Sequence, residues 1–286
     1  MKDNLLHIYR NTPFGRETLM QSIYFCRMMK NIYLSVYIPK HTQFLMYFES
    51  EVVTIDLDSS YVASPDAAQE RVAKMIKEAG QSFRFLEPTD FTANTLPNLP
   101  ANMTYMTCPR SIVDSTSHIG IGYIGSRVRR IVKNAQFPVL ITPPSYKEWK
   151  SITVFYGGSK LGRNAVRTAF HMADRTGLPL TIFTQLEPKF SDTYEKNLKE
   201  GGLLDRIKQD NIKWRIYDGG NLEENLFNVP FDSIMVVGAA GHGSMKELLF
   251  GSKLETIQRT LPNPILVVGP HCTHSDDYIV DAPSTN

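Results

Sequence analysis

Two rhythms of polar and apolar residues alternate along this chain. In its second half, short runs rich in β-branched and aromatic residues, "ITVFY" (Ile152–Tyr156), "LPLTIFTQ" (Leu178–Gln185), "IKWRIYD" (Ile212–Asp218), "SIMVV" (Ser233–Val237) and "ILVV" (Ile265–Val268), read as strands. Between them lie stretches with helical spacing. Arg163–Thr176 puts Val166, Phe170 and Ala173 on one face, and Ser191–Lys208 is mainly helical with a break expected at Gly201–Gly202. "NLEENLF" (Asn221–Phe227) opens on an Asn cap, and Met245–Thr260 reads as a last helix. "SIMVV" is continuously apolar, as in strands covered on both faces, so the alternation predicts a doubly wound, mostly parallel α/β sheet of five strands.

The first half repeats this plan. "GSRVRRIVKNAQFPVLIT" (Gly125–Thr142) matches "GSKLETIQRTLPNPILVV" (Gly251–Val268), and "PFGRETLMQSIYFCRMM" (Pro13–Met29) matches "KLGRNAVRTAFHMADRT" (Lys160–Thr176), with Gly15-Arg16 falling on Gly162-Arg163. The chain therefore reads as a tandem duplication, with units 1–145 and 146–286 meeting in the linker "TPPSYKEWK" (Thr142–Lys150). Arg10 and Gly125 are 115 residues apart, against 94 for Gly157 and Gly251, so the first half is 21 residues longer. The unmatched stretch His41–Ser60, with the alternating "EVVTIDLD", is where extra strand is expected.

Composition narrows the functional classes. A formal charge of +2 over 286 residues argues against bulk electrostatic binding of nucleic acid. No apolar run approaches the roughly 20 residues needed to cross a bilayer, and "MKDNLLHIYR" has no apolar core of the length expected in a signal peptide. Cys26, Cys108 and Cys272 are too few and too scattered for a disulfide framework, which fits free thiols in a reducing cytosol. The expectation is a cytoplasmic protein with no membrane contact.

The chemistry concentrates in "VVGAAGHGSMKELLFGSK" (Val236–Lys253). Gly238 and Gly241 follow a strand directly, and Gly251-Ser252 open a helix. Glycines at that junction let backbone N–H groups cradle phosphate beside a helix N-terminus. In an open α/β sheet this is the carboxyl end of the strands, where ligands bind. His242 and Lys253 lie where they can reach a phosphate, and each reads equally as a solvated side chain.

The pattern Gly-x2-Gly-x9-Gly-Ser, followed by a helix and "NPILVV", resembles the ATP-binding signature of the universal stress protein family, and the "GR" helix starts and both "GS…P[VI]L" ends resemble it too. The resemblance implies two flavodoxin-like or Rossmann-like domains paired across their last strands as a pseudo-dimer, compatible with further association into a homodimer. It implies adenine nucleotide binding, as ATP with or without Mg, and no established reaction. The site would comprise Val237, Gly238, Gly241, His242, Gly251, Ser252 and Lys253 at the phosphates, with Gly157, Gly158 and Ser159 at the base. The chain departs from the family where ATP binders place an Asp after the first strand: Gly157 and Arg10 stand there. Counting back from Gly125-Ser126 puts Ile112 and Ser115 opposite Gly238 and Gly241, so the first-half loop reads as eroded.

Other motifs are weaker. "GIGYIG" (Gly120–Gly125) fits a dinucleotide fingerprint but lacks a preceding apolar strand, and the repeat accounts for Gly125 as a helix-start glycine. "HCTHSDD" (His271–Asp277) matches no structural zinc spacing. The rivals to a stress-responsive, nucleotide-binding regulatory module are a nucleotide-free interaction scaffold and a slow ATPase.

Overall fold

The computed structural model describes residues 3–49, 51–88, 96–110, 112, 124–186, 191–239 and 252–272. The first half runs β1 (Asp3–Ile8), α1 (Pro13–Met29), β2 (Ile32–Tyr37), β3 (Gln43–Tyr47), β4 (Val52–Asp56), α2 (Pro65–Glu78), β5 (Phe83–Phe85), β6 (Asn98–Leu99), β7 (Tyr105–Pro109), α3 (Ser126–Asn134) and β8 (Val139–Thr142). The second runs β9 (Ser151–Phe155), α4 (Lys160–Thr176), β10 (Leu180–Gln185), α5 (Ser191–Glu200), α6 (Leu203–Gln209), β11 (Lys213–Tyr217), α7 (Leu222–Leu226), β12 (Ser233–Gly238), α8 (Ser252–Thr260) and β13 (Ile265–Val268).

Local chemistry accounts for the element ends. Thr12 and Ser159 cap α1 and α4, each accepting from the N–H of the glycine three residues on, Gly15 and Gly162. Ser159 therefore starts α4 three residues earlier than the apolar spacing indicates. Asn221 caps α7 by accepting from the Glu224 N–H. The break between α5 and α6 falls at Gly201–Gly202, where Gly202 takes a φ of +68°.

Ten strands form one sheet in the order β11-β10-β9-β12-β13-β8-β7-β1-β2-β5. Within each half the five strands are parallel; the halves join where β13 meets β8 antiparallel, Leu266 opposite Leu140. These two strands are the apolar ends "ILVV" and "VLIT", fully buried, so each covers an edge the other would leave open. One face of the sheet packs on α1, α2, α4, α5 and α6, with Trp149 of the linker buried among them. The linker is tied down: the Tyr146 N–H donates to Glu17 Oε2 at 2.7 Å, and the Tyr24 hydroxyl donates to the Trp149 carbonyl at 2.6 Å. The opposite face packs on α3, α7 and α8.

The inserted stretch forms the expected strands, β3 and β4, as an antiparallel hairpin, with β6 added parallel to β3. This small sheet lies on α3 much as α7 lies on α8, through Phe44, Phe48, Val53 and Ile55 and through the ion pairs Arg127–Asp56 (3.4 Å) and Arg130–Glu51 (3.5 Å). The registers locate most of the extra length here. Val36 and its partner Phe85 are 49 residues apart, where the matching pair Ile182 and Trp214 are 32 apart.

Helix α3 also crosses to the other half. Arg129 pairs with Glu255 of α8 at 3.0 Å, and the half-buried Arg110 guanidinium donates to the Gln258 and Leu261 carbonyls at the end of α8. A side chain on Gly269 would put its Cβ 2.3 Å from the Val132 carbonyl oxygen, so this glycine lets α3 sit against the end of β13.

One polar cluster sits inside the first half. His7 Nδ1 lies 2.9 Å from Ser22 Oγ, which donates to Thr107 Oγ1 at 2.9 Å, and the buried Nε2 has no hydrogen-bond partner among the described residues. Burial lowers the His7 pKa to about 3 from 6.5. Between those values the unfolded chain takes up a proton that the folded protein excludes. Stability therefore falls as pH drops below about 6.5, by up to about 1.4 kcal/mol per pH unit from this group. Urea unfolding at pH 7 and pH 5 should show that loss in the wild type and a smaller one in His7→Gln. Equal losses in both would acquit His7.

Candidate functional site

The order of strands reverses between β9 and β12, whose crossovers leave to opposite faces of the sheet; a crevice opens beyond the carboxyl ends of such a pair. Gly157, Gly158 and Ser159 follow β9, and Gly238 ends β12. The structure thus brings Gly157, Gly158 and Ser159 next to Gly238, at the ends of neighbouring strands. Gly158 and Gly238 lie 80 residues apart in sequence and flank one crevice.

Each described site residue has a distinct setting. Gly157 is exposed, lies outside the positive-φ region, and has no atom within 4 Å of where a Cβ would stand, so there is open space beside it. Gly158 is buried at a φ of +79°, and its carbonyl accepts from the Asn197 side chain. Ser159 is the cap of α4, whose first turn faces the crevice end of the sheet with its N–H groups and positive dipole end. Val237 is a core residue, its side chain spent in packing. At Gly238 a Cβ would lie 2.8 Å from the Leu161 carbonyl oxygen, so this glycine is required for α4 to press on β12, a packing reason the motif alone does not reveal.

The described part of α8 runs from Ser252. Gly241, His242 and Gly251 lie outside the described residues, as does the stretch Met245–Gly251 of the expected last helix. Of Ser252 and Lys253 the backbone alone is described. Most of "GIGYIG" and "HCTHSDD" also falls outside them; Gly125 is seen as the cap residue before α3.

The first-half crevice, between β1 and β7, is built differently. Arg10 takes the place of Gly157 and is buried. Its guanidinium pairs with Asp58 at 2.9 Å, donates from Nε to Ser60 at 2.5 Å, and lies 5.3 Å from the centre of the Tyr61 ring. The insertion thus places its own residues at that crevice. The registers also correct the loop alignment. Cys108 pairs with Ile141 as Val237 pairs with Val267, which sets Pro109 opposite Gly238, not Ile112. Cys108 and Gly125 are 17 residues apart, Val237 and Gly251 only 14, so the first-half loop is longer and an ungapped count misplaces its start.

Sequence reasoning missed Asn197, Asp58 and Arg110, because each acts on a residue dozens of positions away. All three cysteines are buried, and burial pushes the Cys108 thiol up to about 12. Among the described residues no group of three metal-ligating side chains is found, and no helix is long and apolar enough to cross a membrane.

No family model matches the chain. A universal stress protein of Synechocystis sp. is 22% identical to it over 202 residues, 67% of each chain. Among solved structures, a universal stress protein from Archaeoglobus fulgidus DSM 4304 is 16% identical with a TM-score of 0.60, covering 94% of this chain and 99% of its own. A putative universal stress protein from Pseudomonas aeruginosa UCBPP-PA14 is 12% identical with a TM-score of 0.57, covering 94% of each. The resemblance read from the duplication and the glycine motif holds: the chain has the tandem universal stress protein architecture.

Proposed function

We propose, from that tandem architecture, that the chain is a stress-responsive regulatory binding module that holds ATP, or a related adenine nucleotide, in the unit 146–286, with the unit 1–145 as its structural partner. The observation that carries this reading is the crevice between β9 and β12. Room at Gly157 suits a base, and the N-terminus of α4, capped by Ser159, lies at the same end of the sheet, where phosphates would gather. Each such contact contributes about 0.3–1 kcal/mol, more when partly buried. A Mg ion would accompany the triphosphate. In the first half the buried Arg10, paired with Asp58 and Ser60, stands in the place of Gly157, which predicts one site per chain.

Isothermal titration with Mg-ATP should give a stoichiometry of one. Two equivalent sites would refute the reading, and so would no binding at all. Gly251→Val should abolish binding, because a branched side chain at the helix start fills the phosphate path. Native mass spectrometry of protein purified from cells distinguishes this module from a nucleotide-free scaffold by the mass of any retained nucleotide.

A further inference from the structure

A second cavity lies away from this crevice, in the first half, beyond the ends of β2 and β5, where the second half has no inserted sheet. Its volume is about 240 Å³. At about 30 Å³ per water it holds roughly eight waters' worth of ligand, below the ~300–1,000 Å³ of sites for larger molecules. A nucleotide is too big for it; a molecule of about a dozen non-hydrogen atoms is not.

The lining has two characters. Tyr37, Phe85 and Leu86 give an apolar wall, with Tyr37 and Leu86 buried. Lys40, from the chain leading into β3, brings positive charge with the His41 side chain next to it in the lining, and Glu87, after β5, brings negative charge. Among the described residues neither Lys40 nor Glu87 forms an ion pair. Burial and the Glu87 charge push the Tyr37 phenol up to about 12, so it stays a neutral donor at pH 7 with Glu87 near enough to act on it. An apolar pocket carrying both signs of charge suits a ligand that is itself apolar and carries both.

We propose that this cavity binds a small zwitterion with an apolar side chain, a free α-amino acid of leucine or phenylalanine size, its carboxylate toward Lys40 and His41 and its ammonium toward Glu87. The ligand would add a small-molecule input to the first half, independent of nucleotide in the second.

Titration of the full chain with L-phenylalanine and L-leucine, and with phenethylamine and 3-phenylpropionate as single-charge controls, tests this. Both amino acids should bind at millimolar concentration or below, and loss of either charge from the ligand should weaken binding about tenfold, the value of one charged contact. Lys40→Ala and Glu87→Gln, both at exposed positions, should each cost a similar factor while thermal unfolding stays as in the wild type. Absence of heat with both amino acids overturns the proposal. So does 3-phenylpropionate or phenethylamine binding as tightly as phenylalanine, or undiminished binding by both variants.

Discussion

Gly15→Ala is expected to destabilise the protein severely, while Gly162→Ala, at the matching position of the second half, is expected to be nearly neutral. An added Cβ at Gly15 would stand 1.7 Å from the Arg10 carbonyl oxygen and 2.7 Å from its carbon. Those are backbone atoms, and they are held: the Arg10 carbonyl also accepts from the Thr12 N–H at 2.8 Å, and its side chain is fixed by Asp58 and Ser60. Overpacking typically costs about 1–3 kcal/mol and more where backbone must move, so a loss of about 3 kcal/mol or more is expected. At Gly162 the nearest atoms are Ser159 Oγ at 3.2 Å and Tyr156 Cδ2 at 3.3 Å. A few tenths of an ångström of side-chain movement suffices there, and alanine gains up to about 1 kcal/mol of helix propensity over glycine. Urea unfolding midpoints of the two variants decide the matter; equal losses would mean that the two helix starts are packed alike.

Gly157→Asp should tighten ATP binding about tenfold or more. The family resemblance implies an acid here that accepts from the adenine amino group, and glycine has no side chain to do so. A hydrogen bond to a charged group contributes about 1.5–3 kcal/mol, or roughly ten- to a hundredfold in affinity. Desolvation of the carboxylate offsets part of that. The position accepts the change, with no neighbour within 4 Å of the new Cβ and no positive φ to strain. Comparing ATP with GTP isolates the base: tighter ATP with unchanged GTP supports the placement. An unchanged ATP affinity in a folded variant would mean that residue 157 does not face adenine.

Much of the architecture was legible because it is carried by repetition and by local signals. The recurring Gly-Ser, helix and Pro-apolar strand exposed the duplication, and period and capping residues set the elements. Gly201–Gly202 broke a helix where glycine's conformational cost predicts it, and Asn221 capped the next one. The candidate site was half legible. The motif pointed to the end of the sheet where Gly157 and Gly238 flank one crevice, but its central glycines lie outside the described residues.

The sequence by itself determined the alternation of strand and helix, the two units and the apolar last strands that had to find a partner, because those depend on neighbours within a few turns of chain. Only the tertiary structure decided which residues stand opposite each other across strands. Register follows from packing over the whole sheet, so Pro109, not Ile112, falls opposite Gly238. It also decided that the insertion's Asp58 reaches back 48 positions to hold Arg10, and that Gly238 is glycine because α4's backbone presses on it. Contacts of that range are set by how layers stack, and no local pattern of residues records them.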